Sequence, residues 1–399
     1  MDQSQRLRRL AELTVSVGAN VQQGQRVVVT GIVEHAPLVR EITRAAYRAG
    51  ASRVDALYTD RHLTRAHIEL GPEETLSDTP PWLLTLMETL DRENGAYIQV
   101  RGEAEPELLA DLDGRLVGKA QPLEYRKRWL DVVGRRAVSW TMVAAVNPGW
   151  ATQVFGKPDV DALWNAVEKA IRLDVDDPIA AWRQHLAKLR RIATALNERR
   201  LEALRYKGPG TDFEVGLLPS SVWDGGDTLT TRGVSHVANM PTEEVFTSPD
   251  RRKAEGRLRL TRPLQMNGTT VRDLEFEFRD GRIVGVNASA GVDVVRAELA
   301  SDPNAVRLGE VSLVDGSSAV GRLGITFFDT LFDENATCHM AYGGGFTYCV
   351  TDEADRASGL NNSSIHTDFM VGGPEVQIDG REPGGAWIPI LHDNEFRIL

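Results

Sequence analysis

The chain has 399 residues, with 46 Lys and Arg against 57 Asp and Glu, for a formal charge of −11. Its hydrophobic share of 42% and charged share of 26% fit a soluble globular protein with apolar side chains enough for two domains. The acidic balance argues against nucleic acid as a partner, because phosphate binding needs a basic face, and the short run Arg251-Arg252-Lys253 does not reverse it.

Leu7, Leu10, Leu13 and Val17 recur at helical spacing, so an amphipathic helix opens the chain. That start has no apolar signal-peptide core, and no later stretch is apolar enough to span a membrane. GQRVVVTG at residues 24–31 reads as a buried strand, residues 35–49 as a helix and residues 51–60 as a second strand. This βαβ unit predicts a parallel sheet with a right-handed crossover. Residues 95–103 and 137–148 read as further strands, and residues 82–90 and 105–113 as helices. The turn after the first strand, GIVEH, lacks G-x-G-x-x-G, and no Walker A motif occurs, which excludes a dinucleotide site or P-loop of those types. Two helices follow between residue 160 and about residue 200, the second with a Lys- and Arg-rich solvated face.

Beyond residue 201 glycine and proline become frequent and short alternating runs appear, among them a hairpin over residues 273–286 turning at Asp280-Gly281. The expected organisation is an α/β N-terminal domain with a parallel sheet over residues 1–200. A mainly β (α+β) C-terminal domain follows over residues 201–399. Cys338 and Cys349 are too few for a disulfide framework, which points to a reducing, cytoplasmic compartment.

Of eight histidines, His35, His62, His67, His185, His236 and His392 lack a cluster of several possible ligands close by in sequence and read as ordinary. His366 and Asp368 are two apart, so an extended segment turns both to one face. Glu334 and His339 are five apart, about 140° on a regular helix, and line one pocket only if the segment bends or a helix starts between them. Glu310 sits in the strand-like LGEVSLVD, where an unpaired carboxylate is costly; a metal or a partner such as Arg307 or Arg322 would satisfy it. After Pro241, Glu243 and Glu244 read as a turn in which only one faces inward.

The segments NMPTEEVFTSPD, LGEVSLVD, FFDTLFDENATCHMAYG and NNSSIHTDFMVG resemble, in order, the metal-site motifs of the aminopeptidase T family of metallopeptidases. With RYKGPGTDFEVGL the resemblance covers nearly the whole chain. It implies a cytoplasmic homodimer that removes N-terminal residues from short peptides with a free N-terminus. The implied metal ligands are Glu244, Glu310, Glu334, His339, His366 and Asp368, with Glu310 bridging two divalent ions (Zn, Co or Mn) about 3.5–4 Å apart. One ion would anchor the α-amino group; the other would activate water and polarise the scissile carbonyl. The family's catalytic tyrosine, seven residues after the histidine matched to His339, is Phe346 here, with Tyr348 or Tyr342 as the phenol that substitutes across Gly343-Gly344-Gly345. Two alternatives follow. His339, His366 and Asp368 form a two-His-one-carboxylate set, as in a non-haem iron ring-cleaving dioxygenase on the same scaffold. Phe346 also fits a catalytically impaired metal-binding homologue.

Overall fold

The valine run folds as its composition dictates. In the computed structural model, which describes residues 2–120, 122–266 and 269–399, strand Arg26–Ile32 lies between Arg53–Thr59 and Ala96–Arg101 and parallel to both. Val27, Val28 and Val29 have no solvent exposure; a strand covered on both faces has no polar side to alternate with. Helix Ala36–Arg48 makes the crossover and buries Leu38, Val39, Ile42, Ala45 and Ala46 at helical spacing. The sheet continues through Ser139–Ala144 to the short strand Asn239–Met240, giving five parallel-paired strands.

The helix expected over residues 105–113 does not form. Leu108, Ala110 and Leu112 donate three residues back, and the helix begins only at Gly114–Lys119, capped by Asp113. The Arg65 guanidinium is bound to this stretch, at the Leu108 carbonyl and at the Asp111 carboxylate at 2.6 and 2.7 Å. An α-helix would need that carbonyl for the Leu112 N–H. The other expected helices are present as Gln3–Leu13, Pro81–Glu93, Val160–Ala170 and Pro178–Arg199.

The chain divides into two compact units. One comprises Met1–Arg183 and Asp227–Thr242, the other Gln184–Gly226 and Glu243–Leu399. It therefore passes between them three times, and the segment Asp227–Thr242 returns to the first unit after the second has begun.

The second unit is built from antiparallel sheets. Its eight-stranded sheet includes the hairpin Glu275–Arg279 and Arg282–Asn287, turning at Asp280-Gly281 with φ of 50° and 73°; positive φ at both positions is what a tight hairpin turn requires. Leu274, Phe276 and Phe278 point inward, and Glu275 points out. A four-stranded sheet runs in the order Val245–Thr247, Leu308–Leu313, His339–Gly343, His366–Met370. Its Val311, Leu313, Met340, Tyr342 and Phe369 join Phe276 in one apolar core, the Phe276 ring lying 5.1 Å from Phe369 and 6.0 Å from Tyr342. Side chains on a strand alternate faces, so Glu310, Ser312, His339, Ala341, His366 and Asp368 are turned together to the other face.

Phe369 is fully buried where the two sheets meet. Phe369→Ala is expected to lower the unfolding free energy by about 3–5 kcal/mol, read as a shift of the urea midpoint at constant slope.

Candidate metal centre

Register brings the chemistry together. Glu310 pairs with Ala341, and Ala341 with Asp368, so a methyl group is all that stands between two carboxylates in one row of the sheet. His339 pairs with Ser312 one row along, and His366 with Gly343 at the other end. From outside this sheet come Glu244, just before Val245–Thr247, and Glu334, at the start of the turn Glu334–Ala336. That turn ends in an extended Thr337 (φ −165°, ψ 172°) leading into the His339 strand. The bend that Glu334 and His339 require is therefore present.

The ligand atoms form two groups, each within 4.8 Å. One is Glu244, Glu310 and His339; the other is Glu310, His366 and Asp368. His339 Nε2 lies 2.9 Å from Glu244 Oε2 and 4.0 Å from Glu310 Oε1. His366 Nε2 lies 3.1 Å from Glu310 Oε2 and 3.4 Å from Asp368 Oδ1. Glu334 is in neither group, yet it is buried and close enough for its charge to act on Glu244, Glu310, His339 and Asp368. The first group is deeply buried, whereas the His366 and Asp368 side chains keep 26% and 15% of their exposure. The site is thus open at the His366 end.

Neighbours orient the ligands. His366 Nδ1 donates to the Gly344 carbonyl at 2.7 Å, leaving Nε2 free to bind a cation. Ser312 Oγ donates to Glu244 Oε2 at 2.5 Å. The glycine run is tightly packed: a Cβ on Gly343 would lie 2.2 Å from the Ile365 carbonyl oxygen. Phe346 follows it with its ring 5.3 Å from the His366 ring, stacked on Tyr348 at 5.5 Å and set against Phe246 at 5.4 Å. Tyr342 is on the apolar face, donating to Glu298 Oε2 at 2.6 Å, and is turned away from the site.

Three sequence readings change. Glu243 and Glu244 are both buried, because Glu243 has its own partner: its carboxylate lies 3.6 Å from His185 Nε2. His185 is therefore not an ordinary histidine; its partner is distant in sequence and gave no local signal. Arg307 does not pair with Glu310 but donates to the carbonyls of Arg251 and Asp280. Ser312 was missed, although its place two residues after Glu310 on one strand puts it on the ligand face.

Four carboxylates confront two imidazoles here. Burial pushes the Glu310 carboxyl up to about 7, against the pull of His366. Glu334 is raised well above the carboxylate range, by burial first and then by Asp368 and Glu244. Burial alone would lower His339, but Glu244, Asp368 and Glu310 lift it to about 10. His366 is also raised, Asp368 and Glu310 overcoming burial. A buried excess of negative charge with mixed oxygen and nitrogen donors is the environment a divalent cation neutralises. The residues present fit such an ion.

That donor set is the mark of a divalent-metal hydrolase. The family described as thermophilic metalloprotease (M29) matches residues 3–396. Aminopeptidase T of Thermus thermophilus is 41% identical over 395 residues, 96% of this chain and 97% of its own. Aminopeptidase 2 of Geobacillus stearothermophilus is 36% identical over 403 residues, 98% of this chain and 97% of its own. The solved structure of wild-type AmpT from Thermus thermophilus superposes with a TM-score of 0.92 at 39% identity, covering 99% of this chain and 100% of that one. The chain belongs to the thermophilic metalloprotease (M29) family and is a metal-dependent hydrolase of peptide bonds.

The dioxygenase alternative is not favoured. A 2,5-dihydroxypyridine dioxygenase from Pseudomonas putida KT2440 shares the fold, with a TM-score of 0.50, but only 14% of the sequence. In this chain His339 and His366 fall into different groups, each completed by Glu310, instead of joining Asp368 in one triad.

Ligation requires Glu310 ionised and both histidines neutral, so binding of an ion releases protons. With His339 near 10, affinity for Zn2+ is expected to fall by at least about tenfold per pH unit below pH 9, and more steeply below about 7, where Glu310 also holds a proton. Calorimetry in buffers of different ionisation enthalpy measures the protons released; none at pH 6 would contradict this account of the cluster.

Proposed function

We propose that the chain is an aminopeptidase that releases N-terminal residues from short peptides with two divalent ions. Glu244 and His339, with Glu334 beside them, would hold an inner ion, His366 and Asp368 an outer one, and Glu310 would belong to both sets. The observation that carries this reading is the membership of Glu310 in both ligand groups. Charge agrees with it: four ionised carboxylates and two neutral imidazoles balance two divalent cations. Zinc, cobalt and manganese all suit oxygen and nitrogen donors. The homodimer is part of the proposal and rests on the family resemblance. Cytoplasmic residence is supported by a chain that has only two cysteines, Cys338 and Cys349.

Bound ions supply Lewis acidity, bringing the pKa of water toward neutrality and polarising the scissile carbonyl. The chain's own groups arrange the rest. Ser312 fixes the Glu244 oxygen, and the Gly344 carbonyl fixes the His366 ring. The peptide enters at the partly exposed His366–Asp368 end, past the Phe346 ring. A carboxylate of the cluster carries the proton to the leaving amine. Phe346 offers the developing oxyanion no donor, and Tyr348, whose ring stacks on it, is the phenol assigned that role.

Metal analysis after chelation and add-back is expected to give two ions per chain, with metal-dependent release of N-terminal residues from aminoacyl substrates. Glu310→Gln is expected to abolish turnover and lower the bound metal with the circular dichroism unchanged; unaltered turnover would sink the shared-ligand scheme.

Tyr348→Phe is expected to lower kcat by about 10²–10³-fold, the size of one lost oxyanion donor. An unchanged kcat there, with a gain of about 10²-fold in Phe346→Tyr, would mean the position lost its donor without replacement.

A further inference from the structure

Glu244 and Glu334 reach the site from segments outside the four-stranded ladder, so something else must fix them. Asn335 has no solvent exposure and touches both segments, at the Glu243 backbone N–H and at the Glu334 carboxylate. Its Oδ1 accepts the backbone N–H of Glu243 at 2.7 Å, across 92 residues of sequence. Its Nδ2 donates to the Leu331 carbonyl at 3.0 Å and lies 3.4 Å from Glu334 Oε1. Its own carbonyl accepts from Ser318 Oγ at 2.7 Å, and Ser318 in turn accepts the Gly321 N–H at 2.9 Å. The amide orientation is dictated: Glu243 offers a donor and Leu331 an acceptor, and only one placement satisfies both.

We propose that Asn335 is the positioning residue of the inner half of the metal centre. One buried amide ties the Glu243-Glu244 turn to the Glu334 turn, adding to the hold that Ser312 has on the Glu244 carboxylate a link shared by both segments. His366, Asp368 and Glu310 are held by strand register and the Gly344 carbonyl, and do not depend on it. Loss of the amide therefore acts on one ion and spares the other. This rests on the two-ion reading above.

The test is Co2+ binding to the chelated, full-length chain, followed by calorimetry without substrate. Wild type is expected to take two ions. Asn335→Ala is expected to keep the outer ion at unchanged affinity and to bind the inner one about 10–100-fold more weakly, the usual cost of a lost second-layer partner. Ser318→Ala, which removes only the hydroxyl behind the Asn335 carbonyl, is expected to weaken the same ion by a smaller factor, and it decides the matter if Asn335→Ala does not fold. With wild type holding two ions, equal weakening of both or of neither overturns the positioning role and leaves the two-ion reading intact. A wild-type chain that binds fewer than two ions overturns both.

Discussion

The constraint on which the second unit depends is the gathering of four carboxylates, Glu310 and Asp368 on one face of a sheet and Glu244 and Glu334 from beside it. Glu244, Glu310 and Glu334 have almost no contact with water, and ionised groups of one sign in such a place are unstable unless a cation joins them. The fold makes that arrangement bearable from behind. The same three strands that present Glu310, His339 and Asp368 on one face present Val311, Met340 and Phe369 to a continuous aromatic and aliphatic core on the other. Strand periodicity alone links the two: the register that fills the core also sets the ligands. A one-residue slip would lose both together.

The first unit handles buried charge differently. Arg6, also nearly inaccessible, lies 3.2 Å from Glu168 and 2.7 Å from Asp161, with its guanidinium 5.8 Å from the Trp164 ring. Its charge is answered by protein groups. At the metal centre the carboxylates face two histidines, which must be neutral to ligate. The protein solves electrostatics internally where it needs structure, and leaves the balance open where it needs an ion.

Much of this was legible in the chain itself. The valine run and the βαβ unit follow from local pattern, as do the hairpin at Asp280-Gly281 and the shared face of His366 and Asp368, because strand alternation and turn chemistry are local. The residues around the ligands were not. His185 meets Glu243, and Asn335 meets the same turn, only through tertiary folding. A reading that looks for ligands close by in sequence discards such partners. The helix expected at residues 105–113 is likewise absent from a stretch bound by Arg65, far back in the chain, a contact that no local pattern announces. Tyr342 illustrates the converse, since its alternation with His339 and Ala341 already places it on the wrong face.

The order in which the chain visits its two units bears on how it is made. The outer edge of strand Ser139–Ala144 is completed only by Asn239–Met240, and by then residues 184–226 of the other unit already exist. During synthesis the first sheet must wait with that edge uncovered, an invitation to mispair with other strands. Cutting the gene between the helical and β-rich halves would make the wait permanent. The two units are thus separate in structure but not in biogenesis, and a fragment ending near residue 200 would inherit the open edge as an aggregation hazard.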